Sequence, residues 1–93
     1  MDKTQIKEII IEAFTDLLET ENINLEVNES TPLMGKNSII DSLGLVTLLV
    51  DVEGRLSEED IEISILSEKA MSQKNSPFIS VDSLADYIKE QIN

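Results

Sequence analysis

This sequence predicts an all-α fold, a small bundle of four helices, three long and one short, with a long first loop. Three observations predict it. Apolar residues recur on a 3.6-residue period in three separate stretches. Turn formers cluster between those stretches rather than inside them. The single alternating run, Ile61-Glu62-Ile63-Ser64-Ile65, has no second strand to pair with, so it reads as an extended loop. The 93 residues fit one domain spanning 1–93.

The first helix is expected from about residue 3 to about 19. Ile6, Ile9, Ile10, Ala13, Phe14, Leu17 and Leu18 form one stripe, and Lys7, Glu8, Glu12 and Asp16 cover the outside. Asp2 followed by Gln5 resembles a capping box. Residues 20–41 hold Asn22, Asn24, Asn28, Ser30, Pro32, Gly35 and Asn37, all turn formers. Ile23, Leu25, Val27, Leu33, Ile39 and Ile40 are spaced through them, which predicts a long loop pinned to the core.

Helical pattern returns from Ser42 to about Leu56. Val46, Leu49, Val50 and Leu56 are expected to face the core, and Leu45, Leu48 and Val52 widen the apolar arc to about 200° at 100° per residue. One neighbour cannot cover so wide an arc. Either this helix is central or part of its face is left for a partner. A short helix is expected near 66–72, then a polar breaker at 73–77. Ser80 is the expected cap of the last helix, with Val81, Leu84, Ala85, Ile88 and Ile92 inward. Tyr87 is expected to pack at the end of that helix with its hydroxyl in water.

The charge balance excludes several functions. There are 19 acids against 7 bases, a net charge of -12. That argues against nucleic acid, whose phosphates are bound by Lys and Arg, and favours partners with basic surfaces. The chain is 41% apolar, too much for a charged disordered chain. No apolar run is long enough to span a membrane. Met1-Asp2-Lys3-Thr4 does not open a secretory leader, so the expected compartment is the cytoplasm and the expected state a monomer. With no Cys and no His, the usual nucleophile–base pairs and metal ligand sets are gone, and the reading is a non-catalytic protein. The acidic run Glu58-Glu59-Asp60 with Glu62 lacks the ligand spacing of an EF-hand and reads as a solvated loop.

One motif can carry chemistry. Asp41-Ser42-Leu43 closes the long loop and opens the second helix. A serine there sits at a helix N-terminus, where free N–H groups favour a phosphate ester. The plain alternative is a helix cap. Asp82-Ser83-Leu84 repeats the tripeptide, so the three residues decide nothing alone. Context separates the copies: only the first follows a long loop and leads a four-turn helix.

In that context the chain resembles the acyl carrier protein family over nearly its whole length. The resemblance rests on the first amphipathic helix, the loop ending Leu33-Met34-Gly35, and Asp41-Ser42-Leu43 followed by Leu45-Val46. It extends to Glu58-Glu59-Asp60-Ile61-Glu62-Ile63 and to Ser80-Val81 with Leu84-Ala85-Asp86-Tyr87-Ile88. It implies an acyl-carrier-like bundle that is not a catalyst. It also implies that a phosphopantetheinyl transferase moves 4'-phosphopantetheine from coenzyme A, with Mg²⁺, onto Ser42. The arm's thiol then holds acyl intermediates as thioesters for partner enzymes, namely an acyl-loading ligase or acyltransferase and synthases. Asp41 and Leu43 would contact the modifying enzyme and the arm. A bound chain would be sheltered near Val46, Val50 and Ile63.

Two features depart from the family. Gly44 stands where an acid usually follows the motif, with Thr47, Gly54 and Arg55 further along. Such a glycine suggests a loose helix start or close approach by a partner. The expected partner surface is therefore Gly44, Leu45, Leu48, Asp51 and Glu53, with docking that leans on Leu45 and Leu48 and resists salt. Met71 to Phe78 looks inserted, and Phe78 either folds back on the core or meets a partner. Both departures suggest a specialised fatty-acid, polyketide or surface-polymer pathway. The alternatives are an aminoacyl or peptidyl carrier, and an unmodified acidic helical adaptor in which Ser42 only caps a helix.

Overall fold

The structure is a computed structural model that describes residues 1–33, 40–63, 65 and 78–92. Among them are three helices and no strand: α1 (Lys3–Thr20), α2 (Ser42–Glu58) and α3 (Val81–Ile92). The short helix expected near 66–72 lies outside the described residues, as does the breaker at 73–77.

Local chemistry sets the helix ends. Asp2 and Gln5 form the expected capping box: Asp2 Oδ1 accepts the Gln5 N–H at 2.8 Å and Gln5 Oε1 accepts the Asp2 N–H at 3.0 Å. α1 and α2 then stop in the same way. Asn22 (φ 59°) and Asp60 (φ 62°) turn left-handed just past each end. Behind them the Ile23 N–H reaches Leu18 O at 2.8 Å and the Ile61 N–H reaches Leu56 O at 2.9 Å. These are Schellman stops, each closed by an isoleucine that packs on the core. The acidic run is thus partly helical: Glu58 ends α2 and Asp60 is the turn residue.

Ser80 caps α3 as expected. Its Oγ accepts the Ser83 N–H at 3.2 Å, and its own N–H donates to Ser83 Oγ at 2.9 Å. The long loop supplies the next acceptors, with Val81 N–H donating to Thr31 O and Asp82 N–H to Glu29 O. Apolar anchors hold that loop too. Val27 and Leu33 are buried and Ile23 and Ile40 pack against the core, while Leu25 is left exposed.

α1 is the central helix among the three, since it packs against both α2 and α3. Its buried stripe is Ile6, Ile10, Ala13, Phe14 and Leu18. From α3 come Val81, Leu84, Ala85 and Ile88, joined by Tyr87, which is only 4% exposed. Tyr87 therefore belongs to the core rather than to a wet helix end. From α2 come Leu45, Leu48, Leu49, Val52 and Leu56. This corrects the expected inward face: Leu49 and Leu56 are inward, but Val46 and Val50 are exposed, at 43% and 55%. Phe78 folds back on the core.

Ion pairs tie the outer helices to α1. Lys3 Nζ lies 3.0 Å from Asp82 Oδ1 and 2.7 Å from Asp86 Oδ1. Hydrogen bonds to Asp86 and then Asp82 hold the lysine above its ordinary 10.5, and the bond from Lys3 holds the Asp82 carboxyl below 3.8. The raised lysine contributes stability that is full below 10.5 and lost as pH rises through its folded value. The lowered carboxyl contributes stability that is full above 3.8 and lost as pH falls through its folded value. The melting difference between the wild type and Lys3→Gln should thus be widest between those limits and shrink on either side. Calorimetry from pH 3 to 11 checks this.

Gly54 offers a second test. A β-carbon built there meets nothing within 4 Å. Alanine should recover the helix propensity, so Gly54→Ala should stabilise by about 0.5–1 kcal/mol, read from thermal melts.

Candidate functional site

The start of α2 is set by Asp41. Its backbone is extended (φ -87°, ψ -175°), and its Oδ1 accepts the Gly44 N–H at 2.8 Å. Asp41 is the cap and Ser42 is the first helical residue. The carboxylate of Asp41 therefore caps this helix. The second copy of the tripeptide is placed otherwise. Ser83 lies at the third helical position of α3, part-buried, with its oxygen committed to Ser80. The two serines, alike in sequence, occupy different positions on their helices.

Leu43 is 73% exposed, the most exposed large apolar side chain among the described residues. It stands at the mouth of a groove of about 460 Å³ between the end of α1 and the start of α2. Leu17, Ile23, Ile40 and Leu43 supply its apolar lining. Thr20, Glu21, Asp41 and Thr47 supply its polar edge. Both threonine hydroxyls already donate to helix carbonyls, Thr20 to Asp16 O and Thr47 to Leu43 O, each at 3.0 Å. A larger groove, about 630 Å³, runs between α1 and residues 27–30 and has no residue from α2.

Gly44 has its own explanation. A β-carbon there would lie 3.0 Å from the Ile40 β-carbon. The close approach comes from this chain's own loop rather than from a partner. Ile40 lies over the first turn of α2 and forms one wall of the 460 Å³ groove.

The remaining site residues change role. Leu45 (8% exposed) and Leu48 (1%) are core residues, so they cannot supply the expected apolar docking surface. The exposed apolar side chains of α2 are instead Leu43, Val46 and Val50. The expected shelter for a bound chain near Val46 and Val50 is corrected likewise, since both face outward, while Ile63 is half-buried against the core. Asp51 is engaged by Arg55, which reaches Asp51 Oδ1 at 3.1 Å, Asp16 Oδ2 at 2.6 Å and Glu12 Oε1 at 3.5 Å. Bonds to Asp51 and Asp16 hold the guanidinium above its ordinary pKa, and it stays charged throughout. Glu53 Oε1 accepts the Ile65 N–H at 2.7 Å and anchors the segment after α2. Glu62 accepts from Ser57 Oγ at 2.8 Å. Of the acids between 41 and 62, Glu58, Glu59 and Asp60 are the exposed group at the far end of α2.

The groove is hard to see in the sequence, where its signal is apolar Ile40 immediately before the motif. Among the described residues no group of three or more Asp or Glu is placed to hold a metal ion, and no helix is long and apolar enough to cross a membrane. Comparison with protein-family models, with curated proteins and with solved structures gives no match.

The site's chemistry can be weighed against a phosphopantetheine arm. Ser42 opens α2, a position where N–H groups and the dipole would favour a phosphate ester. Asp41 holds that first turn and both flanking residues line a groove of ligand-pocket size, ~300–1,000 Å³. The residues present fit the group.

Proposed function

We propose that the protein is a phosphopantetheine carrier that shuttles acyl intermediates between partner enzymes. The observation that carries this is the placement of Ser42: first residue of α2, at the end of the long loop, with Asp41 already capping the helix. The modification would join the Ser42 Oγ to the phosphorus of the pantetheine phosphate in coenzyme A. The phosphorus–oxygen bond to the adenosine bisphosphate breaks, that fragment leaves, and the hydroxyl proton passes to the modifying enzyme's base. When attached, the arm supplies the thiol that this cysteine-free chain lacks. Asp41 keeps the helix start in place, and Leu43 presents an apolar side chain beside the attachment point. Basic partner surfaces would meet Glu58, Glu59 and Asp60, and apolar ones Leu43, Val46 and Val50. The cytoplasm, where coenzyme A is used, is the proposed compartment, with the monomer as the working form.

Intact mass spectrometry after incubation with coenzyme A, Mg²⁺ and a broad-specificity phosphopantetheinyl transferase tests this. One phosphopantetheine should be added to the wild type and to Ser83→Ala, and none to Ser42→Ala. Unchanged mass with several transferases would favour the unmodified adaptor.

A further inference from the structure

We propose that the groove between the end of α1 and the start of α2 is the resting seat of the pantetheine arm itself, an inference that rests on the carrier reading. Three observations lead there. The first is the tether. Ser42 lies between Asp41 and Leu43, and both line the groove. A chain attached at Ser42 is tethered next in sequence to two lining residues, so its docking would be intramolecular, at a high effective concentration.

The second is the lining. Leu17, Ile23 and Ile40 form an apolar wall that suits the arm's geminal methyls and methylenes. The third is the polarity of the rim. Thr20 and Thr47 spend their hydroxyl hydrogens on Asp16 O and Leu43 O, which leaves oxygen lone pairs. Glu21 and Asp41 add carboxylates, and no described lining residue is cationic. The rim offers acceptors. The arm can donate to it from two amide N–H groups and a hydroxyl, while its two amide carbonyls would face water. The same rim repels a negatively charged tip, so a dicarboxylic cargo would be driven out into water while neutral and amine-bearing cargo could stay. Gly44 belongs to this design: with no β-carbon it lets Ile40 close the wall.

The test separates this inference from the carrier reading. The chain has no cysteine, so Ser42→Cys provides one unique thiol. Its thiolate displaces bromide from pantetheine bromoacetylated on its 4' oxygen, with its own thiol blocked as a methyl disulfide: a carbon–sulfur bond forms, the carbon–bromine bond breaks, and the thiol proton goes to buffer. Full loading is read by intact mass without any transferase. NMR should then show contacts from the arm's geminal methyls to the methyls of Leu17, Ile23 and Ile40. Thr47→Trp in the same alkylated protein should abolish them, because the indole fills the groove from an exposed position. Contacts only to Val46 and Val50, or none at all in the fully loaded protein, would overturn the proposal. If the alkylated protein shows the contacts but no transferase ever loads Ser42, the groove's fit for pantetheine stands and the carrier reading falls.

Discussion

Phe78→Ala should destabilise the protein by about 3–5 kcal/mol, a large part of the ~5–15 kcal/mol that holds a small domain together. Phe78 is 2% exposed and ranks among the largest fully or nearly fully buried side chains, although it closes a polar stretch that looks inserted. The neighbouring Ile79 is 57% exposed, so the chain turns one apolar residue in and leaves the next one out. Truncation removes the ring and leaves a cavity in the core cluster, which relaxes only in part. Phe78→Leu should cost much less, because it keeps most of the volume. Urea unfolding checks both. The midpoint should fall with little change in the slope, since the surface exposed on unfolding is nearly constant. A cost under about 1 kcal/mol would mean that the ring is peripheral. Under the carrier proposal, the residual folded protein should still be modified at Ser42.

Local patterns made much of the fold readable. The α1 stripe, its capping box and the Ser80 cap lie in short-range chemistry that a sequence displays directly. The face of α2 did not. At 100° per residue, the buried Leu45, Leu48, Leu49, Val52 and Leu56 span about 100°, while Leu43, Val46 and Val50 sit beyond one edge. The sequence shows one wide apolar arc, and only the position of α1 decides which part is covered. The expected face was rotated by roughly 80° from the real one.

Gly44 was visible as an anomaly, but its reason is Ile40, folded back over the helix start. Arg55 looked like a defect in an acidic docking face. Its partners Asp16 and Glu12 lie on another helix, so sequence spacing could not join them. The acids divide in the same way. Asp51 and Glu53 serve the chain's own cation and backbone, while Glu58, Glu59 and Asp60 are exposed together, where the proposed carrier would meet basic partners.

Asp41 then becomes the residue where stability and the proposed modification can be told apart. Asp41→Ala should cost about 0.5–2 kcal/mol, because the Gly44 N–H loses its acceptor at the end of the helix. Asp41→Asn should keep most of that stability, since asparagine caps about as well as aspartate. It removes only the charge and its interaction with the helix dipole, worth roughly 0.3–1 kcal/mol. The two variants therefore separate two roles. If Asp41 acts only as a cap, Asp41→Asn should be modified at Ser42 at nearly the wild-type rate while Asp41→Ala slows with the loss of helix order. If a basic partner reads the carboxylate, both should slow by a similar factor, although the Asn variant's melting temperature falls less than the Ala variant's. We expect the second pattern, because Asp41 is exposed beside the attachment residue and spends only one of its two oxygens on the cap. Modification rates by intact mass, set beside melts of the same samples, give the answer, and rates for both variants that track melting temperature alone would assign Asp41 to the fold.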